Sequence, residues 1–239
     1  MRRKAAAILA LALWATAPAS SLSINELNAN FSLLYIATAP SPADSGGLSA
    51  LAQLVGLSLP ISIAGPFSLE PTVELFGTTY QWMGTRPVPI DFEAGPAFFV
   101  LGSIVSLQSV LSLPLSSSFS VGGALGLDLV LRFPFDFRTD IPERTAGEAP
   151  SLAYFFQDGR FFYPETRLFV RWQAGPRIGL YGNLRVLYPI FHLWDGEGLS
   201  FLDQTLASAG LGFSIRLGPV PAAPKPEQPA AQASTPAVK

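Results

Sequence analysis

The side chains able to do chemistry in this 239-residue chain are few, and most are charges set singly among apolar neighbours. Acidic Glu70, Glu74 and Asp128 and basic Arg132, Arg167, Arg171, Arg185 and Arg216 each lie beside a leucine, valine, isoleucine or other apolar residue. Charges enclosed together in a low-dielectric interior must pair, so the chemistry open to this set is mutual neutralisation. Counted from the ends of their segments, Glu74, Asp128, Arg171 and Arg185 fall near mid-length and are expected to form a central network. Such a network either plugs an interior or works as a switchable gate for small ions.

Other chemical sets are thin. The single histidine, His192, leaves almost nothing for a zinc site. Cysteine is absent, which removes disulfides, thiolate chemistry and lipoprotein-type acylation. His192 meets no serine until Ser200, with Asp195 and Glu197 between them, a loose echo of a Ser-His-acid arrangement. The sequence holds no Walker loop, dinucleotide fingerprint or metal-ligand spacing, so neither a cofactor nor an enzymatic activity is expected. A net charge of −2 and a pI near 5.4 give no basic footprint for nucleic acid. A second set is aromatic: Tyr154, Phe155, Phe156, Phe161, Phe162 and Tyr163, with Phe191 and Trp194 further on. These rings read either as a girdle in a membrane headgroup zone, or as an apolar entry site or contact surface.

The elements that must position these groups announce themselves by alternation. Successive side chains of a strand face opposite sides, so a strand between lipid and a polar interior alternates apolar with polar. Phe67, Leu69, Val73 and Leu75 alternate with Ser68, Glu70, Thr72 and Glu74. Phe119, Val121, Leu125, Leu127, Leu129, Leu131 and Phe133 alternate with Ser120, Gly122, Ala124, Gly126, Asp128 and Arg132. Leu168, Val170 and Trp172 are set against Arg167, Arg171 and Gln173, and Ile178, Leu180, Leu184 and Val186 against Gly179, Tyr181, Asn183 and Arg185. The last segment sets Ala207, Ala209, Leu211, Phe213, Ile215 and Leu217 against Ser208, Gly210, Gly212, Ser214 and Arg216. A helix cannot sort these residues into two such faces.

Further strands are predicted near Asn30 to Ala37 and from Leu48 to Leu59, with a loop through Pro40 to Gly47 between them. Tight links at Ile63 to Pro66, Leu115 to Ser118 and Gly175 to Arg177 alternate with long ones. The long links run from Tyr80 to Pro96, Pro134 to Glu165 and Pro189 to Gln204, and Gln157-Asp158-Gly159-Arg160 reads as a tight β-turn. Leu57-Ser58-Leu59-Pro60 recurs as Leu111-Ser112-Leu113-Pro114, each just before a tight turn. Short turns on one rim and long loops on the other are the plan of a bacterial barrel. The predicted fold is all-β, a transmembrane antiparallel up-and-down β-barrel of about eight strands.

Two rival architectures fit less well. The uncharged stretch Phe98 to Leu113 resembles a spanning helix, but Pro60, Pro66 and Pro114 interrupt the apolar runs. The charged alternating strands would turn Glu, Asp and Arg to lipid if they were helical spans. A soluble lipocalin-type barrel would carry more charge outside than the 13% of charged residues supplies.

The ends differ from the middle. Arg2, Arg3 and Lys4 precede an apolar run, Ala5 to Trp14, too short to span a bilayer. Ala17-Pro18-Ala19 offers a cleavage site before Ser20, so residues 1–19 read as a signal peptide, 20–218 as the barrel and 219–239 as a tail. The Pro/Ala-rich tail is expected to be an extended linker, with a periplasmic tether as the functional alternative.

On these alternating strands, and on the closing segment Ala209-Gly210-Leu211-Gly212-Phe213-Ser214-Ile215-Arg216-Leu217, the chain resembles the small outer-membrane barrels of the OmpW, OmpX and OmpA-transmembrane type. The resemblance covers Asn30 to Gly218, and the chain departs from it by ending the strand in Leu217 rather than an aromatic, with a tail beyond. It implies a monomer in bacterial outer-membrane lipid, with a terminal strand read by the barrel assembly machinery. The expected role is passage or binding of small, hydrophobic molecules; the alternative is a non-transporting surface barrel acting through its long loops. If the N-terminal reading holds, mass spectrometry of the mature protein should place its first residue near Ser20, in the outer-membrane fraction. An intact N-terminus in the inner membrane would contradict it.

Overall fold

The computed structural model describes residues 23–39, 50–90, 97–135, 142–196, 200 and 202–217. The predicted signal peptide (1–19), the tail (219–239) and the Pro40 to Gly47 loop lie outside these residues. Eleven strands form one closed antiparallel wall of eight staves. β1 (Ser23–Ile24) and β2 (Glu26–Ile36) form the first stave, and β3 (Ala50–Ser58) and β4 (Ile61–Ala64) the second. β5 (Phe67–Met83), β7 (Phe98–Pro114), β8 (Phe119–Phe135), β9 (Phe162–Gln173), β10 (Ile178–Leu187) and β11 (Leu206–Arg216) complete the ring. β11 closes it on β2, in register from Leu206 opposite Ile36 to Arg216 opposite Glu26.

The polar–apolar alternation sorts onto the two faces of this wall. Leu51, Val55, Leu57, Val73, Leu107, Leu125, Leu127, Leu168, Leu184 and Leu211 stand exposed on the outside. Their alternating partners, among them Ser58, Glu70, Glu74, Ser106, Asp128, Arg167, Arg185 and Ser208, are buried inside. A closed ring of this size leaves room only for side chains. Glycines mark where those side chains lie flat: a Cβ on Gly102 would come within 2.0 Å of the Phe76 ring, and one on Gly212 within 2.3 Å of Tyr181.

The short-turn rim follows the sequence expectation, but the long-loop end does not. The strand predicted near Asn30 to Ala37 is β2, which begins at Glu26, and the short β1 precedes it in the same stave. The link predicted from Tyr80 to Pro96 holds a hairpin: β5 runs on to Met83 and β6 (Arg86–Ile90) turns back along it. β6 takes the place of β3, whose ladder with β5 ends at Leu54 opposite Phe76. The link predicted from Pro134 to Glu165 holds helix α1 (Pro142–Phe156), whose first position takes the proline that a helix start tolerates. Gln157–Gly159 is accordingly a 3-10 turn leaving a helix, not a β-turn, with Asp158 at φ 52. A second 3-10 turn covers Ile190–Leu193.

The facing of β8 has a sharp test. Leu127, mid-strand and half exposed, looks outward, whereas Asp128 is fully buried. Leu127→Arg should cost roughly 2–4 kcal/mol of folding into lipid vesicles. Asp128→Asn should leave vesicle insertion nearly unchanged. The reverse order would mean that the register is off by one, which flips every side chain.

Candidate functional site

The interior is built in tiers. Nearest the short-turn rim, Arg171 Nη1 pairs with Glu26 Oε2 at 2.8 Å, both partly exposed. Above it Arg167 Nη2 donates to Glu70 Oε2 at 2.7 Å. Ser58 Oγ and Asn28 Nδ2 donate to the other oxygen of Glu70, at 2.5 and 3.2 Å. At mid-height Arg185 Nη1 meets Glu74 Oε2 at 2.5 Å, and its Nε lies 3.8 Å from Glu165 Oε1. Asn30 Nδ2 donates to Glu74 at 2.6 Å, and Gln108 Nε2 bridges both oxygens of Glu165 at 2.9 and 3.0 Å. Asp128, opposite Ser106 across the β7–β8 ladder, completes this cluster, so three carboxyls gather around one guanidinium.

The next tier is apolar. Leu34, Ile36, Leu54, Phe76, Ile104, Val130, Leu187 and Leu206 pack around Tyr163 and Phe191. At the long-loop mouth, Tyr154 and Phe155 of α1 enter the ring and pack on Tyr80, Phe98 and Val100. A second polar network rims this mouth. Arg86 Nη1 pairs with Asp203 Oδ2 at 2.5 Å, and its Nη2 donates to the Ala39 carbonyl at 2.7 Å. Asp203 also accepts from the Ala39 amide at 2.8 Å, which ties three connections together. Both ring nitrogens of His192 are engaged, with Asp195 Oδ2 at 2.8 Å and the Asp203 carbonyl at 3.0 Å. Among the described residues the pairing with Ser200 is therefore not made.

The sequence-predicted residues thus separate. Glu74, Asp128 and Arg185 do meet at mid-height, but Arg171 does not; it sits a tier lower on Glu26. Arg132 lies at the mouth, and Arg216 is half-buried at the opposite rim with no ion-pair partner among the described residues. The girdle reading fails for Tyr154, Phe155, Tyr163 and Phe191, whose rings are buried inside the mouth. It suits Phe156, Phe161 and Phe162, which chain ring to ring with Phe133 at 4.9 to 6.2 Å on the outer face. Trp194 is exposed, and its Nε1 donates to the Asp158 carbonyl at 2.7 Å. Sequence reasoning missed Glu26, Glu165, Gln108, Arg86, Asp203 and Gln204. Glu165 and Gln108 had a usable signal, the period-two step back from Arg167 for the first and the alternation with Val105, Leu107 and Leu111 for the second.

No family model matches the sequence, and no curated protein matches it either. Solved structures match in fold. Neisserial surface protein A is 9% identical with a TM-score of 0.52, the match covering 82% of this chain and 99% of that one. The outer membrane protein OprG from Pseudomonas aeruginosa is 10% identical with a TM-score of 0.48, over 81% and 97%. At such identities the likeness is one of fold alone. The protein has the architecture of the small eight-stranded outer-membrane β-barrels.

Removing one member of the central cluster should be costly, because its partners stay buried. Arg185→Met strands Glu74 and Glu165 and should destabilise the barrel by about 3–5 kcal/mol. Urea unfolding in vesicles measures this. Adding Glu74→Gln to Arg185→Met should recover part of the loss; an additive further loss would show that the pair does not matter.

Proposed function

We propose that the protein is an outer-membrane barrel that does not conduct, and that it acts at the cell surface through the structured outer end formed by α1 and the long-loop rim. The observation that supports this is the filled lumen. Inward side chains succeed one another from Arg171 and Glu26, through the Arg185 cluster and the apolar tier, to Phe155 in the mouth. The lumen void between Glu70, Arg167, Tyr181 and Asn183 measures about 10 Å³, room for one water at most. Passage of even a small solute would require breaking ion pairs that are fully desolvated.

The remaining parts of this reading follow from the wall. The exposed apolar band suits outer-membrane lipid, and the signal-like start suits export. With an even number of staves, both described ends, Ser23 and Leu217, lie at the short-turn rim, which faces the periplasm in barrels of this plan. The alternating β11 is the strand that the assembly machinery would read. A ring without edges needs no strand from a second copy, and we take the protein as a monomer.

Planar-bilayer recording tests the proposal. Purified, heat-modifiable protein should add no steady conductance steps at neutral pH. Reproducible unitary steps from folded protein, absent in denatured controls, would return the assignment to a narrow channel.

A further inference from the structure

Among the described residues, every buried guanidinium but one has a carboxylate partner. Arg86 has Asp203, Arg167 has Glu70, Arg171 has Glu26, Arg185 has Glu74, and Arg160 has the more distant Asp158. Arg132 is just as buried, with 1% of its surface exposed, yet no carboxylate among the described residues pairs with it. Its neighbours are neutral: Nη1 donates to Gln204 Oε1 at 3.2 Å and Nη2 to the Tyr163 hydroxyl at 2.8 Å. Its Nε has no acceptor, as is also true of Arg167 and Arg185, but here the hydroxyl of buried Tyr80 beside it has none either. The nearby acid, Asp203, is already committed to Arg86 and the Ala39 amide.

A charge removed from water without a counter-charge is costly, and the idle Tyr80 hydroxyl beside it adds to that cost. Both deficits call for the same thing, an anionic acceptor. The walls around Arg132 are otherwise apolar and aromatic, with Phe98, Val100 and Phe155 above and Ile104 and Val130 below. An occupant must therefore carry one anionic group on an apolar body. Its space is filled by Phe155, whose ring lies 5.2 Å from the guanidinium carbon and stacks edge-on to Tyr80 at 5.3 Å. Phe155 belongs to the last turn of α1, and the chain leaves that turn through Asp158 and Gly159, both at positive φ. The helix end is thus a separate insert in the mouth, not a stave of the wall.

We propose that Arg132 and Tyr80 form the anion-binding end of a ligand site in the outer mouth, which takes the carboxylate of an amphipathic acid with its apolar chain against the surrounding rings. Phe155 holds the ligand's place when the site is empty, its ring face standing in for the anion beside the guanidinium. Binding exchanges that ring for a carboxylate and moves the end of α1 outward. The site needs no open lumen, so it is separate from the conductance question: a conducting barrel could have it, and a silent one could lack it.

The test uses the full mature protein in lipid nanodiscs, titrated with radiolabelled laurate, with empty nanodiscs subtracted for partitioning. Saturable binding at one site per barrel is expected, with lauryl alcohol at least about tenfold weaker as a competitor because it lacks the charge. Phe155→Ala should tighten laurate binding, since the native occupant no longer competes. Arg132→Gln should weaken it by about tenfold or more while the heat-modifiable gel shift is kept. If Arg132→Gln fails to fold, the laurate-to-alcohol ratio and the Phe155→Ala affinity decide. No saturable binding to folded Phe155→Ala, equal binding of acid and alcohol, or an Arg132→Gln protein that binds like the native one would each overturn the proposal.

Discussion

In hydrocarbon no water is available to the backbone, so every amide and carbonyl of the wall must find its partner on a neighbouring strand. That condition closes β11 on β2 and leaves the lipid-facing wall without a free edge. It also forces the period of two, because only a pleated strand presents one face to lipid and one to the interior. With eight staves the ring is narrow, and its inside can be neither an oily core nor open water. The charges, glycines and aromatic rings of the lumen are responses to this one requirement. Gly102 makes way for Phe76 and Gly212 for Tyr181, because the opposite wall is too near for two side chains.

A narrow lumen then dictates the electrostatics. Side chains that alternate inward on β5, β8, β9 and β10 bring carboxyls and guanidiniums within a few ångströms, where solvent cannot screen them. Glu70 gains three kinds of donor, a guanidinium, a hydroxyl and an amide, and Glu165 is held by both Gln108 and Arg185. Such pairing ties this half of the lumen together. It fixes the facing of each strand, since a one-residue slip would turn these groups into lipid.

What the sequence made legible follows from the same physics. The facing of β8, β9, β10 and β11 could be read residue by residue, because lipid demands apolar side chains on one face without interruption. Height could not be read. Strands in a barrel are tilted and staggered, so counting along one strand does not give the level on the next. Arg171 was accordingly assigned to the centre although it sits a tier lower, on a residue, Glu26, that precedes the first obvious alternation. Glu165 was hidden at the end of a supposed loop, since Pro164 beside it argues against strand. The mouth was illegible for a different reason. Gly147 and Pro150 weaken any helical signal in α1, and its rings are the same residue types that a girdle would use. Whether Tyr154 and Phe155 point into the barrel or into lipid depends on where the helix end is docked, which no local pattern records.

The two ends of the interior therefore differ in kind. From Glu26 to Glu165 the charged groups of the lumen cluster with their opposites, and the cluster resists change because loss of a guanidinium strands its buried carboxylate partner. At the mouth, Arg132 is enclosed by rings, held by two neutral oxygens, and stacked against a side chain delivered by a helix outside the wall. Fold alone assigns no activity to a barrel of this kind, so function is to be sought where the structure departs from what stability requires. A plug meant only to seal could have used leucine at position 132, on the apolar tier formed by Ile104 and Val130. A buried guanidinium there costs stability and adds nothing to closure, and its position at the long-loop mouth places that cost at an end of the barrel, above the paired charges that already fill the lumen.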